Sequence, residues 1–137
     1  MGVEVVFVSN LKEVMQKIDE TAKDRMLEAV NEVRNKTLET LSGPRHGRVY
    51  KVPDTNRIYT ASAPGEPPAQ ATATLRGSIK GGVESEGSKI VGFVGTDQKY
   101  GPMLEFGTIH IKPRPWLRKS FELCEAKVKE IFTRIWF

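Results

Sequence analysis

The chain is short of the residue types from which most active sites are built. Its 137 residues include one cysteine, Cys124, and two histidines, His46 and His110. A single cysteine excludes an internal disulfide and suits a reducing compartment. Together with two separated histidines it offers no recognisable zinc-ligand spacing, so no metal site is expected. Gly92, Gly95 and Gly101 form no phosphate loop, because no Gly-Lys-Ser/Thr follows them. Long apolar runs are missing too. None approaches the roughly 18 to 20 residues of a membrane span. Met1 to Ser9 is short and lacks a basic n-region, so a secretory signal is not expected. The length fits one domain and leaves no room for a separate cofactor domain. No internal repeat is visible.

What is present is ordinary in amount and uneven in placement. Hydrophobic residues make up 39% and charged residues 28%, the proportions of a globular protein. The net charge of +4 is unevenly distributed. Residues 1–42 carry 6 basic and 8 acidic side chains, 43–82 carry 6 and 2, 83–109 carry 2 and 4, and 110–137 carry 7 and 3. Two basic blocks therefore alternate with two acidic ones. Each basic block is either a solvated face or a contact for phosphates or an acidic protein surface.

Val3 to Val8 reads as a strand, being β-branched and aromatic. Asn10, with Glu13 three residues on, suggests a capping box. Apolar residues then follow at helical steps from Leu11 through Val14, Met15, Ile18, Ala22, Met26, Ala29, Val30 and Val33 to Leu41. Ser42-Gly43-Pro44 ends the pattern with a C-cap glycine and a proline. One helix over 10–42 would be about 50 Å long. That is long for so small a domain, and a break near Asp19 to Thr21 would shorten it. Residues 43–74 hold five of the eight prolines and no helical period. They read as a long loop or extended arm, with short extended pieces at 49–52 and 57–60. Such an arm is either disordered alone or ordered by a partner. Leu75 to Ile79 begins a strand or a helical turn. Val83, a turn over 84–88 and Ile90 to Gly95 form a β-hairpin. Tyr100 to Glu105 suits a short helix, Gly107 to Ile111 an extended piece, and Trp116 to Phe137 a helix.

These elements give an α+β fold. A long N-terminal helix, straight or kinked, and a C-terminal helix pack on a small, mostly antiparallel sheet, with the arm beside them. The chemistry offered is thin. Cys124 falls on the apolar stripe of the last helix and reads as a buried structural thiol, and Glu105 as a carboxylate that pairs with an arginine or caps a turn. Neither supports catalysis. Arg45, Arg48, Lys51 and Arg57, with Tyr50 and Tyr59 interleaved, are candidate contacts to DNA or to an acidic surface. No nucleic-acid-binding signature accompanies them.

Three stretches carry a resemblance. They are Tyr59-Thr-Ala-Ser-Ala-Pro-Gly-Glu-Pro-Pro-Ala69, Thr72-Ala-Thr-Leu-Arg-Gly-Ser-Ile79, and Tyr100-Gly-Pro-Met-Leu-Glu-Phe-Gly-Thr108 followed by Arg114-Pro-Trp-Leu-Arg118. In this order and spacing the chain resembles the small neck, or tail-completion, proteins of long-tailed bacteriophages and prophages, over roughly residues 10–132. Gly101 stands where that family has a small alanine, Trp116 where it has phenylalanine, and Thr72-Ala73 where it has Thr-Gly. The resemblance implies a non-enzymatic virion protein made in the host cytoplasm, without cofactors. It implies a homo-oligomeric ring at the head–tail junction that continues the DNA channel. The partners implied are further copies, head-completion or connector proteins, tail proteins and passing DNA. A tail terminator capping the tail tube is the nearest alternative. A DNA-binding accessory protein using residues 45–57 is an alternative of another class.

A ring needs heterologous contacts. The candidate interface residues are Tyr59, Pro64, Glu66, Pro67 and Pro68 on the arm, Arg76, Tyr100, Glu105 and Phe106, and then Arg114, Trp116 and Arg118. Tyr100, Phe106 and Trp116 either anchor an interface or fill the core. Glu105 has Arg114, Arg118 or Arg76 as possible partners.

Overall fold

The computed structural model describes residues 2–5, 10–70 and 74–135. Among these residues the chain is α+β, with a long N-terminal helix, a C-terminal helix and two antiparallel sheets of two strands each. The order is α1 (Leu11–Thr40), β1 (Val49–Lys51), β2 (Ile58–Thr60), α2 (Thr74–Gly77), β3 (Lys80–Glu86), β4 (Lys89–Gly95), α3 (Tyr100–Phe106) and α4 (Leu117–Thr133). No described helix is long and apolar enough to cross a membrane.

The long helix is unbroken. Leu11–Thr40 contains neither glycine nor proline, so nothing interrupts its backbone ladder. The expected break near Asp19 is bridged instead. Asp19 pairs with Lys23 at 3.1 Å, and Gln16 donates to Glu20 at 3.3 Å, each across one turn. Asn10 occupies the N-cap but makes no side-chain cap bond, so the capping box is not formed, and Glu13 faces only the dipole of the first turn. At the other end Gly43 does not take a left-handed cap. The terminal carbonyls find side-chain donors instead. Arg45 donates to the Thr40 carbonyl at 2.6 Å, and Gln70 Nε2 to that of Leu41 at 2.6 Å.

α4 runs antiparallel along the C-terminal half of α1. Arg25 donates to the carbonyls of Ile131 and Ile135 at 3.0 and 2.8 Å, and Arg134 pairs with Glu28 at 2.7 Å. At the opposite end Trp116 and Leu117 meet Leu38 and Leu41. Between them the small residues Ala29, Thr37, Ser120 and Cys124 are buried, which lets the helices approach. Thr37 and Ser120 satisfy their hydroxyls on the carbonyls of Val33 and Trp116.

The β3–β4 hairpin turns at Gly87-Ser88 and lies on α1 as well. Its approach depends on missing side chains. A Cβ on Gly92 would sit 2.6 Å from Met26 Sδ and from Val30 Cγ2, and one on Gly81 would sit 2.8 Å from Val30 Cγ1. Beyond β4, Leu41, Leu75, Ile79 and Trp116 form the main core cluster. Burying each side chain stabilises the fold by about 1.5–3 kcal/mol. The Trp116 indole N–H donates to the Gly101 carbonyl at 3.0 Å, so its one polar atom is satisfied.

Other segments differ from the sequence expectation. Gly2 to Val5 form no strand, and Val3 and Val5 stand exposed. Val6 to Val8 of the expected strand, Thr72-Ala73 of the second motif and the final Trp136-Phe137 lie outside the described residues. At Leu75 the helical turn, one of the two readings of that segment, is the one that forms, over Thr74–Gly77. Residues 107–111 form a closed turn, not an extended piece. Thr108 N–H donates to the Ile111 carbonyl at 3.0 Å, and Gly107 takes φ +75° where a Cβ would strike that carbonyl and Pro113.

Candidate subunit interface

The start of α4 is assembled by one carboxylate. Glu105 accepts the backbone N–H groups of Trp116, Leu117 and Arg118 at 2.8, 2.9 and 3.1 Å. These are amides left over at a helix N-terminus, and a negative charge suits that end of the dipole. The capping role anticipated for Glu105 is therefore the one it takes. Its expected pairing with Arg114, Arg118 or Arg76 is replaced by this cap. Arg114 instead donates to Ser62 Oγ at 2.9 Å, Arg118 pairs with Glu122 at 3.1 Å, and Arg76 donates to Ser42 Oγ at 2.7 Å.

Fixing α4 in this way leaves an apolar cleft of about 680 Å³ between β4 and α4. Its floor is Met26, Ala29, Val30 and Val33 of α1, and one wall is Phe93 and Val94 of β4. The other wall is Phe121 and Val128 of α4, and α3 supplies Phe106 at one end. Phe106 is 78% exposed and Phe121 44%. Of the charged groups on the cleft, Glu105 is held by its three amides and Arg118 by Glu122. Of the three aromatic anchors expected, Phe106 is exposed on this surface and Tyr100 is partly exposed, whereas Trp116 is 2% exposed and belongs to the core.

The floor of the cleft continues as a bare stripe. Ala22, Ile18, Met15 and Leu11 precede Met26 at steps of four, four, three and four, on the same side of α1. α4 ends opposite Arg25, so residues 11–24 project about 20 Å past it. Residues 11–20 are all exposed. Leu11 is 62% exposed, Val14 38%, Met15 60% and Ile18 43%. Sequence reasoning placed these residues on an apolar stripe but did not single them out as surface. The available signal was length, since a helix of 30 residues outruns a partner of 17.

The arm is held mainly by its own side chains. Glu66 accepts the backbone N–H groups of Ala63 and His46, each at 3.0 Å, and lies 2.6 Å from His46 Nδ1. Those amides, that of Ala63 foremost, draw its pKa down to about 2. Pro67 and Pro68 are buried, while Pro64 is exposed. The short extended pieces expected at 49–52 and 57–60 pair as a hairpin, in which Tyr50 and Tyr59 face each other across the strands with ring centroids 5.9 Å apart. Gly65 N–H also ties the arm to the Pro113 carbonyl.

The four basic candidates separate. Arg45 donates to the carbonyls of Thr40, Gly43, Pro44 and Pro68. Burial pushes its pKa below the usual value, so it is a structural clamp. Arg48, Lys51 and Arg57 are exposed on the hairpin, and Arg48 shares a small polar recess with Tyr50, Ser62 and Arg114.

Cys124 is buried, and burial raises its thiol pKa, which weakens it as a nucleophile. Among the described residues no group of three or more His, Cys, Asp or Glu is placed to hold a metal ion. Comparison of the chain with protein-family models, with curated proteins and with solved structures returns no match in any of the three.

Proposed function

We propose that this chain is a non-enzymatic structural subunit that assembles with copies of itself into a ring. By the motif resemblance, that ring belongs at the head–tail junction of a long-tailed phage virion. It would join head-completion or connector proteins to tail proteins and continue the DNA channel.

The observation that carries self-assembly is uncovered apolar surface in two places. A ring subunit needs two separate faces. The bare stripe of α1, with Leu11, Met15 and Ile18 exposed, and the apolar cleft supply surface of the kind that marks interaction sites. The charges of the cleft, Glu105 and Arg118, are taken up within the subunit, which argues against a reaction there. The exposed hairpin cations Arg48, Lys51 and Arg57 suit a subunit that meets passing DNA.

Native mass spectrometry of the purified chain tests the assembly, with an oligomer as the expected result. Electron microscopy of a phage deleted for the gene tests the placement. Separate full heads and finished tails are expected. Normal virions would refute the junction role, and tails of uncontrolled length would assign the chain to tail termination instead. Salt-sensitive DNA binding that the R48A/K51A/R57A variant abolishes would support the hairpin contact.

A further inference from the structure

Arg48 and Arg114 bring two guanidinium groups to one recess of about 350 Å³. Arg48 stands at the base of the β1–β2 hairpin, and Arg114 on the segment leading into α4. Ser62 and Tyr50 complete the polar lining, and no carboxylate belongs to it. Glu66, the next acidic residue along the arm, is taken by the amides of His46 and Ala63 and by the His46 ring. Two like charges gathered without a counter-charge repel each other, and an anion between them relieves that cost.

One of the two cations is set in advance. Arg114 Nε donates to Ser62 Oγ at 2.9 Å, and Nη1 to the Lys112 carbonyl at 3.1 Å. The backbone N–H of Arg114 is held by the Leu104 carbonyl at 2.6 Å. Its Nη2 has no hydrogen-bond partner among the described residues, and neither has the Arg48 guanidinium. Ser62 Oγ accepts from Arg114, so its own hydrogen remains to donate. The amides of Gly47 and Ala63 on the recess are already spent, on the Ala61 carbonyl and on Glu66. Binding there therefore falls to side chains.

Their number and spread choose the anion. A carboxylate has two oxygens in one plane and is satisfied by a single guanidinium fork. A phosphate group is tetrahedral and accepts from several directions, which suits donors arriving from a hairpin and from a separate segment. We infer that this recess seats a phosphate group, held between Arg48 and Arg114 Nη2 with Ser62 Oγ as a third donor. The phosphate is either free in solution or one link of a DNA backbone. Only that choice rests on the proposed DNA contact. Arg114 lies outside the hairpin, so the seat makes the hairpin and the approach to α4 a single site.

Nuclear magnetic resonance of the full chain tests this, with the Arg114 Nε–H signal identified by its loss in R114K. Sodium phosphate is titrated at constant ionic strength, with chloride as the balancing salt. The signal should move along a saturating curve, and R48A should weaken the apparent affinity about tenfold or more. The Arg48 side chain has no partner among the described residues, so R48A keeps the fold, which an unchanged circular dichroism spectrum checks. A shift that does not saturate would overturn the inference. The same curve with sodium acetate would overturn it in favour of a carboxylate.

A short single-stranded oligothymidine is then added to the phosphate-saturated chain. Displacement of phosphate supports the seat and assigns it to a DNA link. Phosphate that stays bound supports the seat and assigns it to the free ion. Oligothymidine binding that R48A/K51A/R57A abolishes, in a chain with no phosphate site, would leave the hairpin contact standing and overturn the recess alone.

Discussion

The two halves of α1 present the same apolar stripe under different conditions. From Arg25 to Thr40 the stripe is covered by α4 on one side and the β3–β4 hairpin on the other, and Ala29 and Val30 are buried. From Leu11 to Asp24 the repeat continues at the same spacing, yet every residue from 11 to 20 is exposed. Residue type does not separate the halves, since Leu11, Met15 and Ile18 are as apolar as Met26, Ala29 and Val33. The difference lies in what the rest of the chain reaches. A stripe that its own chain cannot cover is paid for by the covered half, until another molecule covers it.

Perturbing the cover should give the largest effect. Ile131 of α4 is 0% exposed, and I131A should cost about 2–5 kcal/mol in urea unfolding, because it removes contacts and leaves a cavity. The hairpin side comes next. G92V places carbon where Met26 Sδ and Val30 already stand, and should cost about 1–3 kcal/mol through overpacking. Releasing the start of α4 is smaller still. E105A deprives three amides of their acceptor and should cost about 0.5–2 kcal/mol, the range for a lost helix cap. On the bare half, M15A should change the stability of the dilute monomer by less than about 0.5 kcal/mol. A large loss there would mean that the tip is covered within the subunit, and the contrast between the halves would collapse.

The arm adds a pH test. Glu66 has a folded pKa near 2 against an ordinary 4.5. Its contribution is therefore complete above about 4.5 and lost as pH falls through 2. The urea midpoint of E66Q should fall less steeply than that of the wild type across that window. Equal slopes would show that the amides of Ala63 and His46 do not hold this carboxylate.

Much of the architecture was legible in the sequence because it is local. Three- and four-residue spacing marks α1 and α4, and the turn expected over 84–88 between Val- and Ile-bearing segments marks β3–β4, although the strand runs on to Glu86 and the turn itself is only Gly87-Ser88. The arm was only half legible. Its proline content points to extended chain, but Glu66 closing on His46 and Arg45 closing on Pro68 are contacts 20 and 23 residues apart, which no spacing rule announces. Glu105 was singled out, and so was capping as one of its roles. That its donors are the amides of Trp116 to Arg118, rather than a guanidinium, depends on the closed turn at 107–111 bringing α3 against the start of α4. The cleft was not legible at all. Phe93, Phe121 and Met26 come from three elements, and only their packing defines the space between them.

By itself the sequence determined the class of fold, the two ends of α1 and the absence of an internal disulfide. Each follows from residue identity and short-range spacing. It also determined that one apolar stripe would run the whole length of that helix. Only the tertiary structure decided where the stripe is covered. α4 has 17 residues against 30 in α1, and its antiparallel seat opposite Arg25 leaves the first turns without a neighbour. Periodicity records which face of a helix is apolar. Whether that face is core or interface depends on how far the other elements extend along it, and that is a property of the packed chain.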